Sequence, residues 1–258
     1  ALWQSYENIE VIAVDNESTD TTLETLRQME SENDNLTVLT AENIYPNCWD
    51  EAREEGYKKM TGDYVTVIGS DDLIEKDYIK SCVDIMVKGK GVIKAFQSPA
   101  MGFKDHNLGK VRTGLIDYRY ETREQFMEQS LNRCVVNSPS VFYDASLYEM
   151  GLLETFPEKY GGAADYDLYC RLVDSGVFIY SVPAWIGFCY RWHEDQATWK
   201  VHKEGKNYDK MIQDFWRQRG RQSYLLIDIR CIKTYFTAIN VSNSTIAWIR
   251  EAAFGYLI

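Results

Sequence analysis

Short apolar runs alternate with helical repeats along the first third of the chain. Four runs rich in β-branched and aromatic residues predict buried strands, at residues 9–14, 36–39, 64–68 and 92–96. Between these runs, apolar residues recur every three or four positions, which predicts helices over residues 21–29, 49–60 and 78–86. Strands that alternate with helices indicate an α/β fold, with a mostly parallel sheet flanked by helices.

The pattern is less regular after residue 96. Polar and Gly-rich turns over residues 97–117 predict a hairpin or a long loop, and helical spacing returns at residues 122–131. A helix beginning near Asp165 should end near Gly176. Short strands are expected before and after that helix, at residues 141–143 and 177–182. The last stretch, up to residue 258, has the spacing of an amphipathic helical extension.

Charge and composition exclude several classes of protein. The chain of 258 residues has 28 basic and 39 acidic side chains, a net charge of −11, which disfavours nucleic acid as a partner. It has no apolar run long enough to span a membrane, and residues 1–10 do not read as a secretory signal, so we expect a cytoplasmic protein. The six cysteines form no CxxC motif and are expected to be reduced.

Carboxylates follow two of the predicted strands directly. Asp15 ends the first strand, and Asp71 and Asp72 follow the third through Gly69 and Ser70. Carboxyl ends of parallel strands share one edge of a sheet, where ligands of such folds bind, so these three side chains should lie at one edge. Adjacent carboxylates repel each other unless a cation lies between them, and Mg²⁺ or Mn²⁺ would do so. An N-terminal cap of the next helix is the alternative role for the Asp71–Asp72 pair.

Two later segments also carry candidate chemistry. Asp165 follows a Gly-rich loop at the start of a predicted helix, where it could act as a general base or simply cap the helix. His193 lies in the sequence Tyr-Arg-Trp-His, next to Arg191. Arg191 could pair with a diphosphate or with a surface carboxylate, and a lone histidine is more often structural than a ligand. The chain has no GxGxxG, GxxxxGK[ST], GxSxG or HExxH motif.

Taken together, these blocks resemble the family 2 glycosyltransferases, which are inverting enzymes with the GT-A, Rossmann-related fold. The resemblance rests on four segments in the family's order, residues 8–20, 61–72, 164–172 and 190–193. It implies that Asp15, with Asn16, binds the nucleotide, and that Asp71 and Asp72 share the ribose and a metal-bridged diphosphate. It further implies that Asp165 is the base that deprotonates the acceptor hydroxyl. His193 becomes an extra ligand of the metal or the phosphate, and Arg191 a further nucleotide contact.

The chain departs from the family pattern at three places. Gly69 stands where many members have the first Asp of the DxD motif, and Ala164 replaces a Glu that often precedes the base. The chain also starts about one βα unit late, so a central strand is expected to be absent. Its neighbours would then have unpaired backbone groups unless another segment, such as residues 225–229, fills the gap.

The resemblance gives the expected organisation and activity. Residues 1–96 would bind the nucleotide sugar, residues 97–199 the acceptor, and residues 200–258 would form the helical extension. The expected reaction is inverting transfer of a sugar, most simply from a UDP-linked donor, to a hydroxyl of a saccharide, lipid-linked or protein acceptor, with Mn²⁺ or Mg²⁺ as cofactor. The alternatives are a catalytically impaired nucleotide-binding module and a nucleotidyltransferase. A homodimer, and peripheral contact of the basic C-terminal segment with the inner face of the membrane, are further expectations.

Overall fold

A computed structural model describes residues 1–45, 48–104, 112–196 and 206–220. Its strands are β1 (Val11–Asp15), β2 (Leu36–Thr40), β3 (Tyr64–Thr66), β4 (Leu73–Ile74), β5 (Ala95–Gln97), β6 (Ala100–Lys104), β7 (Arg112–Ile116), β8 (Val141–Asp144), β9 (Ile179–Ser181) and β10 (Phe188–Trp192). Its α-helices are α1 (Thr22–Glu32), α2 (Asp50–Lys59), α3 (Tyr78–Lys88), α4 (Arg123–Ser130), α5 (Ser146–Glu149), α6 (Pro157–Tyr160), α7 (Ala164–Asp174) and a helix over residues 208–220. The chain divides into two compact units, residues 1–214 and 215–258.

The strands form three small sheets, of which the two four-stranded ones are of mixed direction. β1 and β2 are parallel; the other two sheets have the orders β4-β10-β6-β7 and β3-β8-β5-β9. The α/β fold is confirmed, but the sheets are mixed rather than mostly parallel. The reason is that β8 returns antiparallel between β3 and β5, and that β6 and β7 form the antiparallel hairpin expected in residues 97–117.

One hydrophobic cluster packs helix α3 against strands of both four-stranded sheets. Tyr78, Cys82 and Met86 lie one turn apart on α3 and are at most 1% exposed, as the helical spacing of the sequence predicted. They pack with Phe96, Ala100, Phe142 and Phe188. Burial of each large apolar side chain contributes about 1.5–3 kcal/mol, so this cluster holds the two four-stranded sheets against α3.

Two strands have an open edge among the described residues. Within this part of the chain β1 pairs only with β2, and β3 pairs only with β8. A carboxylate joins the beginnings of the two strands: Oε1 of Glu10 accepts hydrogen bonds from the backbone N–H groups of Thr61 (2.6 Å) and Gly62 (2.8 Å). Residues 225–229, the expected filler of a gap at this place, lie outside the described residues.

Three further expectations concern the cysteines and the C-terminal segment. The described cysteines are free, as predicted: Cys48, Cys82, Cys134, Cys170 and Cys189. Of the predicted helical extension, the structure describes residues 206–220, and residues 221–258 lie outside it. In the part of the chain that is described, no helix has both the length and the apolar character needed to cross a bilayer.

Candidate functional site

The turn after β3 brings two carboxylates together above one glycine. The backbone N–H of Asp72 donates to the carbonyl of Gly69 at 3.1 Å, which closes the turn. A Cβ at position 69 would lie 2.7 Å from Oδ1 of Asp71 and 3.1 Å from Oδ2 of Asp72. Both carboxylates therefore occupy the space that a side chain at residue 69 would need, and glycine is the residue that leaves this space free.

Strand β10 closes over the same turn. β10 pairs antiparallel with β4, which directly follows the two aspartates. The backbone N–H of Arg191 donates to Oδ1 of Asp72 at 3.0 Å. Nε2 of His193 lies 2.9 Å from Oδ2 of Asp71. Residues more than 110 positions apart in the sequence thus form one cluster, because the β4–β10 pairing sets their register.

Burial raises the free-energy cost of ionising the carboxylates of this cluster. Asp72 is 9% exposed, and burial raises the pKa of its carboxyl to about 7. The N–H of Arg191 acts in the opposite direction, and the nearby charge of Asp71 adds to the rise. A carboxylate that is hard to ionise next to a second carboxylate is stabilised by any cation that approaches both.

The carboxylate oxygens and the imidazole nitrogen of the cluster suit a hard divalent cation, although the described residues supply few such metal ligands. Carboxylate oxygens are the ligands that Mg²⁺ and Mn²⁺ prefer, and imidazole is also accepted by Mn²⁺. Among the described residues, however, no group of three or more His, Cys, Asp or Glu side chains is placed to hold a metal ion on its own. A cation here would need further oxygen ligands from water or a bound anion.

The backbone around His193 is held by one glutamine. Nε2 of Gln196 donates to the carbonyl of Arg191, and Oε1 of Gln196 accepts from the backbone N–H of His193 at 3.3 Å. Gln196 is 4% exposed. These bonds fix the turn after β10, so the imidazole is presented to Asp71 from a rigid segment.

Asp15 and Asn16 lie at the carboxyl end of β1. Asp15 is 5% exposed; its Oδ2 accepts the backbone N–H of Ser18 at 3.2 Å. Its other oxygen, Oδ1, is buried and has no hydrogen-bond partner among the described residues. A buried acceptor of this kind carries a free-energy cost until a donor reaches it. The side-chain amide of Asn16 is engaged: it donates to the carbonyls of Ala41 and Glu42, both at 3.1 Å.

Asp165 lies in the first turn of α7 and faces a charged pair on α2. The side chains of Asp50 and Arg53 form an ion pair and are 12% and 7% exposed. Asp165 lines a small depression together with both of them. Burial raises the pKa of Asp165 above its usual range, while a hydrogen bond from the Ser138 hydroxyl and the charge of Arg53 act in the opposite direction. The side chain therefore retains a proton at a higher pH than an exposed aspartate does.

The loop before α7 is held by an aromatic side chain. Gly161 has a φ of +51°, and a Cβ at this position would come within 2.8 Å of the Tyr208 ring. The backbone conformation and the close approach both require glycine. This explains why the Gly-rich segment precedes Asp165, a feature that the sequence shows without its cause.

The structure thus groups the predicted residues into three places. Asp71 and Asp72 meet the His193 segment, Asp15 and Asn16 lie at the end of β1, and Asp165 lies against α2. The hydrogen bonds and the ion pair described above lie within these groups. The prediction that the strand-end aspartates share one edge stays a prediction, as do the roles that the resemblance gave to Arg191 and Asn16.

Sequence reasoning missed the polar network beside Asp165. Nη2 of Arg53 donates to Oγ1 of Thr155 at 2.6 Å, and the Thr155 hydroxyl donates to Asp50. The i, i+3 spacing of Asp50 and Arg53 indicates an ion pair on α2. Both members of the pair also bond to Thr155, which is more than 100 positions away in the sequence, so no local pattern could reveal the network.

Comparison with known proteins identifies the family to which this chain is similar. The profile of "Glycosyl transferase family 2" matches residues 1–150. Glycosyltransferase GlyA of Streptococcus pneumoniae is 28% identical over 160 residues, which is 57% of this chain and 22% of that protein. The chain therefore spans less than a quarter of the length of this curated relative.

Two solved structures have a similar fold. The crystal structure of S. aureus TarS in complex with UDP aligns with a TM-score of 0.56 and 16% identity, over 83% of this chain and 62% of that one. The mannosyltransferase PcManGT of Pyrobaculum calidifontis, in complex with GDP-Man and Mn²⁺, aligns with a TM-score of 0.51 and 14% identity, over 99% of this chain and 74% of that one. The fold is that of the GT-A glycosyltransferases, and the chain belongs to glycosyl transferase family 2.

Proposed function

We propose that the protein transfers a sugar from a nucleoside diphosphate donor to an acceptor hydroxyl, with inversion at the anomeric carbon. The observation that carries the proposal is the pair of carboxylates above Gly69, closed by the His193 segment. A pair of acidic side chains repels an anionic diphosphate unless a divalent cation joins them. Membership of glycosyl transferase family 2 supports the same reaction.

The donor is expected to bind at the carboxyl ends of β1 and β3. The unpartnered Oδ1 of Asp15 suits an N–H donor such as the imide of uracil, which supports a UDP-linked sugar. TarS binds UDP and PcManGT binds GDP-Man, so both similar folds accept nucleoside diphosphates. Arg191, and Asn16 at the end of β1, are proposed as further nucleotide contacts.

Mn²⁺ or Mg²⁺ would be held by Asp71 and Asp72, with His193 as an additional ligand. The oxygen and imidazole donors fit such an ion, and the diphosphate would supply the oxygen ligands that the described residues lack. When bound, the ion neutralises the charge that builds up on the leaving diphosphate. PcManGT binds Mn²⁺ together with its donor, which supports this assignment.

Asp165 is proposed as the general base. The acceptor oxygen loses its proton to the Asp165 carboxylate and forms a bond to the anomeric carbon from the side opposite the phosphate. The bond from that carbon to the diphosphate oxygen breaks, and the nucleoside diphosphate leaves with the electron pair. The raised pKa of Asp165 suits this role, because a base accepts a proton more readily when its pKa lies closer to the working pH.

The test is nucleoside diphosphate release from UDP-glucose, UDP-N-acetylglucosamine and GDP-mannose, with Mn²⁺ and with EDTA. We expect release from one donor in Mn²⁺ only, and loss of transfer in Asp165→Asn with nucleotide affinity kept within about threefold. Asp174→Asn is the matched control, because Asp174 ends the same helix about 14 Å away, where it pairs with Arg123. Tight, metal-dependent binding without release would instead indicate a binding module, and release of pyrophosphate from a nucleoside triphosphate and a sugar phosphate would indicate a nucleotidyltransferase.

A further inference from the structure

Two hydroxyl groups link the interior of the protein to the carboxylate of Asp165. Tyr169 lies one turn after Asp165 on α7 and is 1% exposed, and its hydroxyl donates to Oγ of Ser138 at 2.6 Å. The Ser138 hydroxyl is hydrogen-bonded to the Asp165 carboxylate. An ionised carboxylate only accepts hydrogen bonds, so the single hydrogen of the serine hydroxyl goes to Asp165. Both bonds of this hydroxyl pair therefore point towards the carboxylate.

The backbone that carries Ser138 is held on both sides. Ser138 begins a short 3₁₀-helix, and the backbone N–H of the preceding Asn137 donates to Oε1 of Gln97 at 2.8 Å. At the end of the same helix, the Ser140 hydroxyl donates to the carbonyl of Ser98 at 2.8 Å. Gln97 is 2% exposed and Ser140 is fully buried, so water does not compete for these bonds. The Ser138 hydroxyl is therefore presented to Asp165 from a fixed position.

Other titratable and charged groups face Asp165 from α2, from β8, from α7 and from the loops before α2 and β8. They are Cys48, Asp50, Arg53, Cys134, Tyr143 and Tyr169. Burial raises the pKa of each thiol and phenol in this set, so these groups stay neutral where an aspartate titrates. Arg53 lowers the pKa of Asp165 and Asp50 raises it. Substitutions of the hydroxyl pair leave all the charged groups in place, so their influence is common to the variants and the wild type.

We propose that Ser138, oriented by Tyr169, is a positioning residue for the general base, an inference that rests on the proposed function. The bond from Ser138 holds one oxygen of the Asp165 carboxylate and leaves the other oxygen for the proton of the acceptor hydroxyl. The same bond favours the ionised form, because it is made to the charged carboxylate. Without it, the carboxylate would be free to rotate and would keep its proton to a higher pH. Tyr169 acts through Ser138, since its own hydrogen is used in the bond to that residue.

The test is the pH profile of transfer, measured as kcat and kcat/KM from pH 3 to 8. In Ser138→Ala we expect the acid limb of the profile to move to higher pH, and kcat at pH 8 to fall about tenfold. The donor KM and the Mn²⁺-dependent affinity for UDP should stay within about threefold. Ser138→Thr keeps the hydroxyl and should restore both the limb and kcat to within about threefold of the wild type. Tyr169→Phe should move the limb in the same direction by less.

Two matched controls remove a buried hydroxyl from the same two elements without touching Asp165. Ser140→Ala removes the hydroxyl that ends the 3₁₀-helix, and Tyr166→Phe removes a phenol hydroxyl of α7 that donates to the carbonyl of Ser130. Each control loses a buried hydrogen bond and should lower the Tm. The acid limb should stay where it is in the wild type, because neither hydroxyl belongs to the pair that leads to Asp165.

The outcomes distinguish this inference from the proposed function. An unmoved acid limb in Ser138→Ala, or an equal movement in Ser140→Ala, would overturn the positioning role while transfer by the wild type keeps the proposed function intact. Absence of transfer and of nucleoside diphosphate release in the wild type would overturn the proposed function, and the positioning role with it. Circular dichroism checks that each variant is folded. Should Ser138→Ala fail to fold, Tyr169→Phe keeps the aromatic ring and carries the test, and an unmoved limb in that variant overturns the role.

Discussion

Replacing Gly69 by alanine tests the carboxylate pair most specifically. The new Cβ would lie 2.7 Å from Oδ1 of Asp71 and 3.1 Å from Oδ2 of Asp72, whereas ordinary contacts begin at 3.4 Å. Asp71 must therefore move by 3.4 − 2.7 = 0.7 Å, and Asp72 by 3.4 − 3.1 = 0.3 Å. A displacement of 0.7 Å directly away from His193 would lengthen the 2.9 Å contact to 3.6 Å, which is beyond hydrogen-bond range.

The expected loss of stability follows from the hydrogen bond between Asp71 and His193 that the substitution would break. A hydrogen bond to a charged group contributes about 1.5–3 kcal/mol when buried, and less where the pair is partly exposed, as Asp71 and His193 are at 35% and 25%. We expect the free energy of unfolding to fall by about 1 kcal/mol. The larger effect should be on binding, where a misplaced pair of ligands weakens Mn²⁺-dependent nucleotide affinity about tenfold.

Titration calorimetry of UDP and GDP in Mn²⁺ measures the affinity, and urea unfolding measures the stability. Gly56→Ala is the control: its Cβ would lie 3.8 Å from Val14, an ordinary contact, and alanine favours the helix α2 by about 0.5–1 kcal/mol. If Gly69→Ala bound the nucleotide as tightly as Gly56→Ala does, the carboxylates above Gly69 would not be the metal site.

Four further predictions concern acidic side chains. Asp71→Asn keeps the size of the side chain but removes its charge, so Mn²⁺-dependent nucleotide affinity should fall at least about tenfold in calorimetry; equal affinity would contradict the role of Asp71. The raised pKa of Asp165 means that transfer, assayed from pH 3 to 8, should decline in acid at a pH above 3.8, the ordinary aspartate value. A decline centred at or below pH 3.8 would argue against this base. Because burial raises the pKa of Asp165 in the folded state, its ionisation lowers the stability of the fold as the pH rises past the pKa of the unfolded chain. Asp165→Asn should therefore have a Tm at pH 7 no lower than that of the wild type. A lower Tm would show that the charge of Asp165 stabilises the fold. Glu10→Ala removes the hydrogen bonds to Thr61 and Gly62 and should lower the free energy of unfolding in urea by about 1 kcal/mol. Glu7→Ala, at an exposed neighbouring position, is the control and should lower it by less than about 0.5 kcal/mol. Equal losses in the two variants would refute the link between β1 and β3.

The sequence predicted the elements better than their pairing. The alternation of apolar runs located β1, β2, β3 and α3, because each has a strong local period. Mixed sheet direction depends on which distant strand pairs with which, and the β3–β8 and β8–β5 pairs join segments that are 44 or more positions apart. Such pairing leaves no periodic trace in either strand, so a mostly parallel sheet was the simplest expectation.

The site was predictable where the chemistry is local. Two aspartates after a buried strand indicate an acidic strand end, and the structure shows why Gly69 precedes them. The contact between Asp71 and His193 was not predictable, because it depends on the register of β4 against β10. The departure from the DxD pattern at Gly69 thus has a physical role in this chain, since it makes room for the two carboxylates that follow.

The stereochemistry of transfer tests the central claim most directly. Proton NMR of the reaction with an α-linked nucleoside diphosphate sugar and Mn²⁺ reports both the released nucleotide and the anomeric configuration of the first product. A single displacement with Asp165 as base predicts a β-linked product and one nucleoside diphosphate released for each transfer. An α-linked product, or β-linked product formed equally fast by Asp165→Asn, would contradict the account.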